Sequence, residues 1–139
     1  MSTRDARMAD KVLNKQNSKV FSTLLACPTN KYCADCHKKV DPRWASWNLG
    51  VWVCIRCSGI HRSIGTHISK VKSVDLDCWT PDQVESMQRW GNRRANAYWE
   101  ANVPPGRAPT DGNIENWIRS KYERKAFTRP GPVPDPESL

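Results

Sequence analysis

Six cysteines stand in this chain of 139 residues, and four of them fall into two matched pairs. Cys33-x2-Cys36 and Cys54-x2-Cys57 are separated by seventeen residues. Tetrahedral zinc takes four thiolates at about 2.3 Å, and two short cysteine knuckles can each supply two. The spacing predicts one four-cysteine zinc site built from Cys33, Cys36, Cys54 and Cys57. Two disulfides or four free thiols are the competing reading. The opening MSTRDARMADKVLNKQ has no apolar leader core, so a reducing compartment is expected and disulfides are disfavoured. A redox role would explain one CxxC, not two with a matched gap. Four thiolates leave no open coordination position, so the ion is expected to be structural and not a water activator. His37 and His61 lie beside the knuckles and would replace a ligand only if a cysteine were unavailable. Cys27 and Cys78 are spare and read as small packing residues.

A basic run follows the second pair. Arg56, Arg62, Lys70 and Lys72, with His61 and His67, stand in a stretch that contains no acid. The formal net charge of +8 and a pI of about 9.4 favour polyanionic partners: nucleic acid, acidic lipid or an acidic protein face. A solvated basic face is the bland reading. The spacing is also similar to that of GATA-type fingers, which would make this a zinc-dependent DNA-binding module. Against it, such fingers continue into a basic arm, whereas here Val74-Asp75-Leu76-Asp77 brings acid. The motif is also embedded in a larger body with seven tryptophans, several of which must be buried.

The elements that must carry these residues can be read from periodicity. Residues 1–9 are polar and expected to be flexible. From Asp10 to Leu25, apolar Leu13, Val20, Phe21, Leu24 and Leu25 suit one helical face, stopped by Cys27-Pro28. WASWNLGVWVC reads as two short strands broken by Asn48-Leu49-Gly50, and KVKSVDLD as a third. Thr80-Pro81-Asp82-Gln83 is a helix start with a capping box. Val84, Met87 and Trp90 mark the buried face. Gly91-Asn92 ends that helix and opens another through Ala95, Tyr98 and Trp99. Thr110 or Asp111 is expected to cap a last helix carrying Ile114, Trp117, Ile118 and Tyr122. The end, RPGPVPDPESL, is proline-rich and expected to be disordered or extended. Residues 10–126 thus form one α+β zinc-binding domain: a small antiparallel three-stranded sheet with about five to six helices, followed by a tail over 127–139. No apolar run approaches the roughly 20 residues that cross a bilayer.

The central string resembles the ArfGAP domains, GTPase-activating proteins for Arf-family small G proteins. The parts that match are Trp44-Ala45-Ser46, Asn48-Leu49-Gly50, Cys54-x2-Cys57-x4-Arg62, Gly65, His67-Ile68-Ser69 and Leu76-Asp77-x-Trp79. The helical region, with GNRRANAYWE and IRSKYERK, is similar to the small stromal-membrane-associated branch and its fungal relatives. His37 stands where many members have glycine, and Trp52 where phenylalanine is common. The resemblance implies that Arg62 is an arginine finger, supplied in trans to a GTP-bound Arf protein. It associates Trp44, Ile55, Leu76 and Asp77 with partner binding. Core packing is the alternative for Trp44, Ile55 and Leu76; for Asp77 the choice lies between orienting the arginine and capping a turn. The resemblance also implies a monomer with no nucleic-acid partner, cytoplasmic and peripheral at Golgi or endosomal membranes. Lys70, Lys72, Arg93 and Arg94 could favour an acidic membrane surface. No P-loop pattern is present, so the chain is expected to bind no nucleotide itself and to be no enzyme alone. An inactive scaffold for the G protein is the third reading.

Overall fold

The computed structural model describes residues 4–139, with side chains from residue 10 onward. Three strands form an antiparallel sheet in the order β2-β1-β3, with β1 Trp44–Ser46, β2 Val51–Val53 and β3 Val71–Ser73. Ala45 pairs with Trp52 on one side and Lys72 on the other. Paired residues share a face, so the pleat sends Ala45 and Trp52 one way and Trp44, Val51 and Val53 the other. The turn between β1 and β2 needs Gly50, whose φ is +78° and whose Cβ would meet Trp90 at 2.1 Å.

The first face is covered by α1 (Arg4–Leu25) and α3 (Pro81–Arg89). Phe21 of α1 meets Trp52 and Trp79 edge-on, at ring centroids of 5.7 and 4.7 Å. Val84 and Met87 of α3 complete this cluster. The α3 start has the expected capping box, with Thr80 accepting from the Gln83 amide and Gln83 answering to Thr80. The second face packs on the cysteine knuckles, on α2 (Ile55–Ile64), on α4 (Asn92–Trp99) and on α5 (Ile114–Ile118). Two asparagines stitch the halves together. Asn30 donates to the Leu24 carbonyl and accepts from the Asn92 amide. Asn92 accepts from the Trp52 amide and donates to the Tyr32 carbonyl, so the outer edge of β2 is covered.

Several expectations are corrected. The α1 backbone starts at Arg4, six residues before Asp10; of the expected flexible stretch, residues 1–3 lie outside the described residues. The last helix starts at Ile114 with Asn113 at its cap, while Thr110 and Asn113 close a preceding turn reciprocally. Beyond Ile118 the helix widens into a π turn, Arg119–Glu123. The proline-rich end is ordered against the body. Phe127 is buried, Tyr98 donates to the Gly131 carbonyl, and Arg89 pairs with Asp135 and Glu137. Cys27 and Cys78 are exposed, not packing residues, because each sits in a chain connection outside both clusters.

Candidate functional site

The four cysteines of the two knuckles converge. Their Sγ atoms all lie within 4.8 Å of one another, and all four residues are buried. A tetrahedron with 2.3 Å arms has edges of about 3.8 Å, so the set fits one zinc ion with little adjustment. Backbone amides already face the sulfurs: Asp35 N–H donates to Cys33 and Cys57 N–H to Cys54, each at 3.5 Å. Taken as thiols, the four share their protons. The bond from Cys33 holds Cys36 down to about 5, and Cys33 itself is pushed up by the bonds it makes to its neighbours. A metal ion takes such a set as thiolates and releases the remaining protons. His37 and His61 are not in the cluster.

Cys54 is also the N-cap of α2. A thiolate there meets the positive end of the helix dipole. The knuckle therefore fixes where α2 begins, and Cys57 ties its first turn to the same site. Arg62 lies in the last turn, on the outer face. Gly65, at a φ of +114°, ends the helix. The guanidinium of Arg62 lies over the Trp44 ring, 5.2 Å from its centroid. Arg43, Arg56, Arg89 and Arg119 all pair with carboxylates, whereas among the described residues Arg62 meets none. A cation over an aromatic face is held by the ring quadrupole without being neutralised.

The other expected contacts divide. Trp44 is half-buried beside the arginine. Ile55 and Leu76 are 70% and 78% exposed, so core packing is wrong for both. Ile55 opens α2 and, with Val40, Pro42 and Trp44, lines an apolar hollow. Leu76 tops the turn after β3. Asp77 caps that turn by accepting from the Ser73 amide at 2.7 Å, and it makes no bond to Arg62. The basic residues Lys70, Lys72, Arg93 and Arg94 each reach a different backbone carbonyl.

Four further residues behind this surface were not foreseen as a group. Asp35, His61, Lys121 and Tyr122 are buried together, and Glu100 joins at the margin. Asp35 accepts from His61 Nε2 at 2.6 Å, from Lys121 Nζ at 3.0 Å and from the Tyr122 hydroxyl at 2.6 Å. Burial opposes the Asp35 charge, but Lys121 and His61 outweigh it and hold the carboxyl far below its ordinary range. Burial and the Asp35 charge both push the Tyr122 hydroxyl up, so it stays a donor. On its other nitrogen His61 meets Ser69 Oγ at 2.8 Å, Ser69 donates to Ser46, and Ser46 donates to Asn48 Oδ1. Asn48 is oriented by the Lys70 amide and the Ile68 carbonyl. The relay thus runs from the His61 ring through two serines to a fixed amide. One signal for the group was in the sequence: Lys121 falls at a core position of the stripe Ile114, Trp117, Ile118, Tyr122, where a lysine needs a buried partner.

A family model described as "Putative GTPase activating protein for Arf" matches residues 18–131, most of the chain. The fold and site thus define an ArfGAP domain, and the chain belongs to that family. It is 55% identical over 125 residues to an uncharacterised protein of Schizosaccharomyces pombe, covering 90% of this chain and 39% of that one. It is 53% identical over 129 residues to stromal membrane-associated protein 1 of Mus musculus, covering 91% of this chain and 29% of that one. The chain thus spans well under half the length of these relatives. The ArfGap domain of HIV-1 Rev binding protein superposes with a TM-score of 0.78 at 24% identity, over 94% of this chain and 97% of that one, and shares the fold. The DNA-finger alternative is set aside, because the match spans the sheet and the surrounding helices as well as the knuckles.

Proposed function

We propose that this chain stimulates GTP hydrolysis on an Arf-family G protein by inserting Arg62 into the partner's phosphate site. The observation that carries the proposal is the state of that one side chain. It is exposed, unpaired by any described carboxylate, backed by Trp44, and projected from a helix whose start is fixed by the cysteine cluster. A guanidinium is charged at any relevant pH and presents a planar fork to phosphate oxygens. Placed where negative charge gathers in the transition state, it lowers the barrier. Such fingers contribute about 10³ to 10⁵ in rate. Exposed Ile55 and Leu76, with the hollow beside Trp44, supply apolar contact area for the G protein around the arginine.

Cys33, Cys36, Cys54 and Cys57 hold zinc in this reading, and the ion supplies a rigid tie between the two knuckles. The encounter takes place on a membrane surface, at the cytoplasmic face of Golgi or endosomal compartments. No described helix is long and apolar enough to span the bilayer. Single-turnover hydrolysis by myristoylated, GTP-loaded Arf on liposomes tests the proposal. Arg62→Ala and Arg62→Lys should each lose about 10³-fold or more of the stimulation while keeping the fold. Wild-type rates with the lysine variant would refute the finger, since an ammonium cannot reproduce the fork.

A further inference from the structure

A buried ion pair is a weak stabiliser, because the cost of desolvating both charges offsets their attraction; well-packed apolar residues of similar volume are often as good or better. Stability alone therefore gives no reason to bury Asp35, His61 and Lys121 together in one small domain. Hydrogen bonds of this kind fix direction, which apolar packing does not. The placement of the cluster shows which direction they fix.

Asp35 lies between Cys33 and Cys36, on the first knuckle. His61 lies on α2, the helix that leaves the second knuckle, and it immediately precedes Arg62. The His61–Asp35 bond thus spans the two knuckles and clamps α2 at the turn that presents the arginine. The other ring nitrogen leads through Ser69 and Ser46 into β1, two residues from Trp44, on which the guanidinium rests. Helix and ring, the two surfaces that hold Arg62, are pinned by one relay. From behind, the π turn after α5 brings consecutive Lys121 and Tyr122 onto Asp35. Lys121 also bonds the Ala34 carbonyl and Glu100, which anchors the knuckle loop to α4.

We infer that Asp35, His61, Lys121 and Tyr122 form a positioning network that sets the rotation of α2 and so the place of the Arg62 guanidinium. The inference rests on Arg62 acting as the inserted cation. A helix with its side chains is about 10–12 Å across, so a rotation of about 10° moves an outward group by about 1 Å. A misplacement of that size can cost about 10²-fold in rate. None of the four network residues reaches the surface, so the effect passes through position and not through contact with the partner.

The test compares Tyr122→Phe, Ser69→Ala and His61→Gln in the intact chain, with GTP-loaded Arf on liposomes as substrate. Tyr122→Phe keeps the ring against His61 and Trp99 and removes only the hydroxyl bond to Asp35. His61→Gln is expected to lower kcat about tenfold or more, and the two milder variants by a smaller factor, with KM for Arf unchanged. Zinc content should stay at one ion per chain. In an Arg62→Lys background the same substitutions should cost nothing further, because residues acting as a unit are not additive. Wild-type kcat in Tyr122→Phe and Ser69→Ala overturns the inference. So does a loss confined to KM, or an equal loss in the Arg62→Lys background, since each marks a structural role. If His61→Gln fails to fold, the two milder variants carry the comparison alone. A fully active Arg62→Lys single variant would instead defeat the finger itself, and is read separately.

Discussion

The two faces of the small sheet are held by different forces. On one, Phe21, Trp52, Trp79, Val84 and Met87 bury aromatic and aliphatic surface. On the other, four cysteines and a set of buried charges sit among Val51, Val53 and the C-terminal helices. Apolar packing is tolerant of small shifts, since many arrangements bury similar area. Thiolate coordination and charged hydrogen bonds are directional and allow few geometries. The candidate catalytic arginine stands on the directional side. Apolar burial stabilises both faces, and the metal face adds placement.

Metal removal should break this division most severely. In zinc-finger peptides the ion contributes about 10–16 kcal/mol of apparent binding energy, as much as the whole stability of a typical domain. Chelation is therefore expected to unfold the knuckles and α2. Hydrogen exchange would then show amides of residues 33–37 and 54–64 losing protection. A chelated protein that keeps protection across both knuckles would mean that apolar burial suffices on this face too.

Two single substitutions of similar size then separate the faces. Phe21→Ala leaves a cavity between Trp52 and Trp79 and should destabilise by about 3–5 kcal/mol in urea titrations. It should retain its zinc and, where folded, a normal kcat. Lys121→Met removes the lysine but leaves Asp35 buried with one cation fewer, a loss of about 3–5 kcal/mol. That variant should also release zinc faster to a chelator, because the Ala34 carbonyl and Asp35 in the knuckle lose their anchor. Equal zinc release from the two variants would show that the faces are not distinct.

How far these features could be read in advance follows the same division. The knuckles, the three strands and the α3 capping box are local in sequence, and spacing and alternation reveal them. The buried charge group is assembled from residues 35, 61, 100, 121 and 122, and only the misplaced-looking Lys121 hints at it. Ile55 shows another limit. Its core-packing alternative, set beside partner binding, falls only once the sheet shows which way the helix faces. The core alternative for Leu76 falls in the same way, in a turn. The family resemblance supplied the role proposed for Arg62; no spacing rule would have done so. Proline content pointed to a loose tail, but the contacts that hold it come from Arg89 and Tyr98, far from it in sequence.

That tail allows the finest test of the comparison, because its charged contacts lie outside both clusters. Arg89 donates to Asp135 and to Glu137, both exposed. Solvent-exposed pairs of this kind contribute little, and they weaken with salt. Arg89→Ala should therefore leave the melting temperature, zinc content and stimulated hydrolysis unchanged. The local effect should still be visible, since the guanidinium is what gathers the two carboxylates at the end of the chain. Proteolysis beyond Arg129 should become faster, and added salt should bring the wild type to the same rate. Tyr98→Phe removes the separate hydroxyl bond to Gly131 and should loosen the strap without that salt dependence. If Arg89→Ala instead lowered kcat, the strap would have to act on the metal face, and the directional side of the molecule would extend further than its buried cluster.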